Sequence, residues 1–561
     1  MKKNKTVKIL LFILIVSSLV LLALLYSVIK KQNEMREQVG SQLEDYQQSY
    51  MEHLTDSKNI ESVVHDSLFT WTKPIEIYTV ETQTAAREQI DAWIAERDYT
   101  QDDMLLIYNP FCTNTQSMYV YFETEVPMRV SYRISVQEDP VLTYTANCYA
   151  EEEYTTTHEY LLLGLMPDRQ NRITITLTDE QGNTYARTFY YDMPSLLGKE
   201  KEQLTIIEGT SAAPLSDGLY VHLGNDSSAQ DFMYFYDNEG ILRGEVPIIG
   251  YRSHRLLFED DMMYFSISER RIAKMDRFGQ VHAVYKLDGY KLHHDYVFDD
   301  NGDLLVLATD TEANTVQDRV LCLDTKTGEA REVLDLSHLL KEYLDLCTPD
   351  KKEPLDWAHV NTIQWLGDGQ ILLSLREASA IIKVEDIYEI PVLEYIMADP
   401  LIFEGSGYES DMLAKQGSFD SQMGQHTVTY VKEKNQPRGM YYVYMFNNNI
   451  GVMNSRPDFN VQSIADELGT TLKKGTTSYY YCYLVNESAK TYELVDSFAV
   501  PYSGYVSSAQ QYDGHLIVDV GGRFKYYEYD ENKELIRGFR SAGEDYIYRV
   551  YKYDFKGFYF N

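Results

Sequence analysis

From residue 204 to the end of the chain, strand-like runs are cut by short turns rich in Asp and Gly, and this punctuation constrains the fold most. The turns include Asp237-Asn238-Glu239-Gly240, Asp276-Arg277-Phe278-Gly279, Asn301-Gly302, Asp368-Gly369 and Asp513-Gly514. Turns of this kind supply the positive φ that tight strand connections need. Counted by these turns there are about six units, starting near Gly218, Leu256, His294, His359, His426 and Tyr505. Repeated four-stranded units of this size are what a propeller requires, because each blade is one twisted sheet. The spacing is too uneven for WD40 or kelch repeats, and neither signature is present. A two-sheet β-solenoid is the structural rival. The expectation is an all-β chain with a six-bladed β-propeller over residues 204–561.

Residues 69–203 alternate with period two, as in "SMYVYFETEVPMRVSYRISV" and "NRITITLTDEQGNTYARTFYYD". They predict a small β-sandwich before the propeller. Residues 32–68 are polar, with apolar positions three to four apart over residues 35–54, which suits a helical stalk or linker. At the N-terminus, Lys2, Lys3, Lys5 and Lys8 precede an uncharged apolar run, residues 9–29, followed by Lys30 and Lys31. About 20 apolar residues span a bilayer as a helix. Residues 1–31 therefore predict a cytoplasmic tip and an N-terminal transmembrane helix. The basic leader stays inside, so the bulk of the chain would be extracellular on a single-pass cell-membrane protein. A cleaved signal peptide is the competing reading, although no small-x-small site follows the run.

The 86 acidic residues outnumber the 51 basic ones, for a formal charge of −35. Such a field repels phosphate backbones and argues against a nucleic-acid partner. The 48 tyrosines favour strands. Five scattered cysteines form no CxxC pair or Cys/His spacing, so neither a zinc site nor another metal is expected from them. Cys112 and Cys148 are read either as a disulfide or as buried thiols.

Most of the twelve histidines are isolated. Three differ: His294, His359 and His426 each stand before a strand at the start of a unit, 65 and 67 residues apart. Equivalent positions on successive blades converge on one mouth of the central channel. Converging imidazoles allow a metal site or a nucleophile with anion-binding neighbours. Arg376, on a later strand of the His359 unit, favours the second, since a guanidinium fork matches sulfate or phosphate oxygens. Asn361, two residues past His359, should share its face and add a neutral donor.

"DWAHVNTI" (356–363), "SLREASAIIKV" (374–384), "GQHT" (424–427) and "HHD" (293–295) together resemble the aryl-sulfate sulfotransferases, bacterial enzymes that do not use 3′-phosphoadenylyl sulfate. The resemblance spans residues 70–561 and implies a propeller preceded by a small β-domain. It implies that His426 takes up the sulfuryl group as a transient sulfohistidine. His359 and Arg376 would hold the sulfuryl oxygens, with His294 or His293 as a further active-site histidine and Asn361 as a sulfate contact. The implied reaction is ping-pong transfer from a phenolic sulfate donor to a phenol acceptor, with no cofactor or metal, in a chain that is a possible homodimer. Two departures stand out. Glu377 occupies a position where histidine is familiar, and no cysteine pair flanks "GQHT". A non-catalytic propeller binding a sulfated ligand or surface partner, and a metal-dependent hydrolase or lyase, are the rival functions. For an anionic substrate, a cationic cluster at the mouth must outweigh the acidic surface.

Overall fold

Six blades, four of four strands and two of five, follow one another around a central channel. The structure is a computed structural model, and it describes residues 30–31, 64–136, 139–224, 231–348, 354–465, 467–542 and 546–561. Blades 2, 3 and 4 are each built from consecutive strands, beginning at Leu257–Glu259, Tyr290–Phe298 and Val360–Gly367. Blade 5 begins at His426–Val431 and carries Ala414–Gln416 as a parallel fifth strand. Blade 6 begins at Ser508–Tyr512.

Two strands borrowed from the chain ends close the ring. Val550–Tyr553 pairs with Leu219–His222 and becomes the inner strand of blade 1. Thr205–Glu208 pairs with Leu535–Arg540 on the outer edge of blade 6. Closure from both ends caps strand edges that would otherwise be open.

The strands read as continuous apolar runs because each blade is covered on both faces. In Leu304–Asp310, Leu305 and Leu307 pack with Val360, Ile363 and Ile371 of blade 4. Leu304, Val306 and Ala308 face Tyr264, Ile272 and Tyr285 of blade 2. Alternation thus distributes one strand between two cores instead of between core and water.

The preceding domain is one seven-stranded sheet. Its long strand Ser117–Val136 pairs first with Leu105–Tyr108 and Thr155–Leu163, then with Asp139–Asn147 and Gln170–Asp179. The sheet begins at Val64–His65, inside the stretch read as stalk, in parallel with Leu106 and Ile107. Within the stretch read as strands, Val80–Glu96 is a helix. Its buried face is Gln83, Ala86 and Ile90, a stripe with helical spacing but only two apolar members. Gln83 ties the helix to the propeller, accepting from the Val281 N–H at 3.2 Å and donating to the Phe111 carbonyl at 3.0 Å.

All five cysteines are buried free thiols, so Cys112 and Cys148 are not bridged. The apolar run 9–29 and nearly all of the stalk lie outside the described residues. Among the described residues no helix is long and apolar enough to cross a membrane.

Candidate active site

The inner strands of blades 3, 4 and 5 depart from regular pairing at the three histidines. Register shifts occur between Leu292 and Tyr296, between Val360 and Thr362, and between His426 and Thr429. His294, His359 and Thr427 have φ of +55°, +49° and +53°. L-residues rarely adopt such angles, and local strain of this kind persists only where surrounding structure enforces it. His294 lies within its bulge, His359 and His426 stand beside theirs, and all three imidazoles face the channel mouth. The ring of His294 lies 4.9 Å from that of His359 and 6.1 Å from that of His426, centroid to centroid. These three, with Arg376, Arg252 and Tyr548, line a cavity of about 630 Å³.

The motif residues that do not face the cavity fasten the blades behind it. Trp357 is fully buried and donates to Asp318 at 2.9 Å. The Arg376 N–H donates to the His359 carbonyl at 3.1 Å, which sets the guanidinium beside that histidine. Gln425 reaches back to blade 4, donating to the Ala380 carbonyl at 2.9 Å and Ser374 Oγ at 3.1 Å. Gly424, at φ +62°, leaves no room for a Cβ, which would meet Ile450 at 2.4 Å. Asp295, fully buried, accepts from Arg255 at 3.2 Å, Arg549 at 3.3 Å and the Ile363 N–H at 3.2 Å. Arg549 also donates to the Asn361 carbonyl at 2.9 Å.

Asn361 and His293 stand behind the cavity lining. The Asn361 amide donates to the Gln425 carbonyl at 2.7 Å and so braces the residue before His426. His293 Nδ1 lies 3.1 Å from His294 Nδ1. Of the adjacent pair it is His294 that reaches the cavity.

His426 Nδ1 lies 2.6 Å from the Ser507 carbonyl oxygen. A carbonyl only accepts, so the Nδ1 carries the proton and Nε2 keeps its lone pair. Burial, then the nearby Arg549 guanidinium, hold this imidazole well below its ordinary pKa. His294 is also pushed well down, by burial first and then by His359 and His293. His359 Nδ1 lies 2.5 Å from Asp356 Oδ2. Burial raises the Asp356 carboxyl, but the charge and hydrogen bond of His359 prevail and hold it below its usual value. Glu377 is buried beside Arg376, accepts from the Ser455 N–H at 2.8 Å, and is raised chiefly by burial.

Several lining residues escape the sequence reading. Arg252 sits over the Tyr548 ring at 4.0 Å and donates to the Tyr251 and Tyr546 hydroxyls at 2.8 and 3.1 Å. Tyr548 donates to the His294 carbonyl at 3.0 Å, and its ring meets that of His426 edge-on at 5.7 Å. In sequence, "YIYRVYKY" (546–553) is ordinary strand alternation, and Arg252 sits in a loop without a motif. The asymmetric Asp356–His359 spacing inside "DWAHVN" was the available signal for an oriented imidazole. Among the described residues, the metal-type cluster with atoms close enough to share an ion is Asp299, Asp303 and Cys322, outside this lining. A pocket with two arginines, tyrosine walls and a neutral, oriented imidazole suits an aromatic ester of a tetrahedral anion.

A family model described as arylsulfotransferase (ASST) matches residues 205–549, and one described as arylsulfotransferase Ig-like domain matches residues 105–194. No curated protein matches the chain. Among solved structures, an auxiliary nutrient binding protein from Bacteroides ovatus is 8% identical, with a TM-score of 0.30 over 80% of this chain and 91% of its own. The C-terminal WD40 domain of Sif2 is 7% identical, with a TM-score of 0.28 over 62% of this chain and 74% of its own. Scores this low say nothing of function.

Proposed function

The chain belongs to the arylsulfotransferase family and is a sulfotransferase acting on aryl sulfate and phenol, and on that basis we propose that it works by ping-pong transfer through a sulfohistidine on His426. The observation that carries this reading is the Nδ1 contact with the Ser507 carbonyl, which leaves the Nε2 lone pair inside a cavity that also holds Arg252 and Arg376. In the first half-reaction Nε2 attacks sulfur, and the bond between sulfur and the aryl oxygen breaks with its electron pair leaving on the phenolate. His359, oriented by Asp356, gives that oxygen a proton. Arg376 holds the sulfuryl oxygens as negative charge grows between nucleophile and leaving group. Nδ1 keeps its proton and donates it to the Ser507 carbonyl, which stabilises the positive charge of the sulfated ring.

In the second half-reaction a phenol gives its proton to His359 and its oxygen attacks sulfur. The N–S bond breaks, and its pair returns to Nε2. Both steps use one set of groups in opposite directions, so no other acid or base is required. The tyrosine walls, Tyr251, Tyr505, Tyr546 and Tyr548, offer edge and face contacts to either aryl ring. His294 supports the reading as a neutral neighbour that does not compete for the proton. Residues 9–29 would anchor this activity at the outer face of the cell membrane.

The test is release of 4-nitrophenol from 4-nitrophenyl sulfate with and without phenol. Release that depends on phenol supports transfer. Release indifferent to phenol would mean hydrolysis and would overturn it.

A further inference from the structure

The cavity holds Asp356 and Glu377 beside its arginines, and the chain carries −35 overall. An anionic ester is therefore repelled at long range and needs a local attraction. The hairpin 469–475 supplies one. Thr470, Thr471 and Leu472 line the cavity. The hairpin closes on itself by the Thr470 N–H to the Lys474 carbonyl at 2.8 Å and the Lys474 N–H to the Thr471 carbonyl at 3.2 Å. Its tip presents Lys473 and Lys474, both exposed. No carboxylate among the described residues pairs with either.

The hairpin is built in place. The Tyr502 hydroxyl donates to the Thr471 carbonyl at 2.7 Å. Its ring lies against Gly469, Gly475 and Gly504, where a Cβ would come within 2.0, 2.3 and 2.5 Å of it. Three separate glycines thus make room for one aromatic anchor. Arg523 donates to the Tyr502 carbonyl at 3.1 Å, and both Arg376 and Arg523 act on the Tyr502 hydroxyl, partly offsetting the rise that burial causes. Glu467, exposed just before the hairpin, is the nearest acid in sequence.

We propose that the hairpin 469–475 captures the donor: Lys473 and Lys474 attract the anionic sulfate ester, and Leu472 covers its aryl ring at the cavity edge. The neutral phenol acceptor gains nothing from the two charges. This rests on the ping-pong reading above, in which donor and acceptor each have their own kcat/KM.

The experiment compares the full chain with a Lys473→Glu/Lys474→Glu variant, using 4-nitrophenyl sulfate as donor and phenol as acceptor. Reversing both charges should lower donor kcat/KM about tenfold at low salt, an effect that added salt erases. Acceptor kcat/KM should stay within about twofold, since steering acts on charged ligands. Calorimetry on a His426→Ala background reads the same selectivity without turnover: affinity for 4-nitrophenyl sulfate falls and affinity for phenol does not. Wild-type chain that transfers nothing would overturn the ping-pong reading, and the calorimetry would still decide the hairpin's role. Donor parameters unmoved by the charge reversal, or donor and acceptor falling together, would overturn the hairpin's role alone.

Discussion

His426 Nδ1 lies 2.6 Å from the carbonyl oxygen of Ser507, and this one contact fixes both the tautomer and the direction of the imidazole. Val506 and Ser507 have φ of +48° and +81°, so the carbonyl is aimed by backbone that L-residues seldom adopt. The Ser507 hydroxyl helps hold that turn, accepting from the Gly521 N–H at 3.1 Å and donating to Ser503 Oγ at 3.0 Å. A nucleophile built this way is neutral before substrate arrives.

That neutrality has a kinetic consequence. Donor kcat/KM reports ionisations of the free enzyme, and burial and Arg549 keep His426 well below its ordinary pKa. Donor kcat/KM should therefore show no acid limb with a midpoint near the ordinary histidine value of about 6.5. A fall centred there, and moved by substitution at Arg549, would contradict the assignment.

Asp356 orients His359 through the contact of its carboxylate with Nδ1. An Asp356→Asn variant should lose about 10²-fold in kcat with phenyl sulfate, the order expected for losing general-acid help. The loss should shrink with 4-nitrophenyl sulfate, whose phenolate leaves without a proton. Equal losses with both donors would place Asp356 outside the proton transfer.

Arg376 is held beside His359 by its own N–H and offers a planar fork to the sulfuryl oxygens. Arg376→Lys keeps the charge but not the fork, and kcat should fall about 10²-fold. Unchanged kcat with raised KM would make Arg376 a ground-state binding group only.

Buried histidines also tie stability to pH. Burial lowers His158 to about 4 and His222 and His293 to about 3, and holds His254, His294 and His426 well below the ordinary value. Below about pH 6.5 the unfolded chain takes up protons that the folded chain refuses, so stability falls as pH falls. Each such histidine contributes about 1.4 kcal/mol per pH unit between its unfolded and folded values. The urea midpoint should drop between pH 7 and pH 5, and a flat or rising midpoint would contradict this.

The propeller was legible because turn chemistry is local. The blade starts read near Leu256, His359 and Tyr505 fall within three residues of strands beginning at Leu257, Val360 and Ser508. The convergence of His294, His359 and His426 followed from that periodicity. Asn361 shows its limit. Strict alternation predicts that it shares the His359 face, but the bulge at Val360–Thr362 turns its amide to Gln425. A bulge depends on both strands and leaves no mark in one of them. The helix Val80–Glu96 was hidden for another reason, since its buried stripe includes Gln83, a polar residue whose amide donates to the Ile77 and Phe111 carbonyls. Arg252 and Tyr548 come from a loop and from the segment just before the last strand, Val550–Tyr553, and they meet only when the ring closes.

Carriage of the sulfuryl group by His426 between donor and acceptor leaves a covalent trace. Intact and peptide mass spectrometry of the chain, incubated with 4-nitrophenyl sulfate in the absence of phenol, tests it directly. The account predicts one added sulfuryl group on the peptide containing His426, discharged when phenol is added and never formed in a His426→Ala variant. Phenol-dependent turnover with no such adduct, or an adduct on another residue, would contradict it.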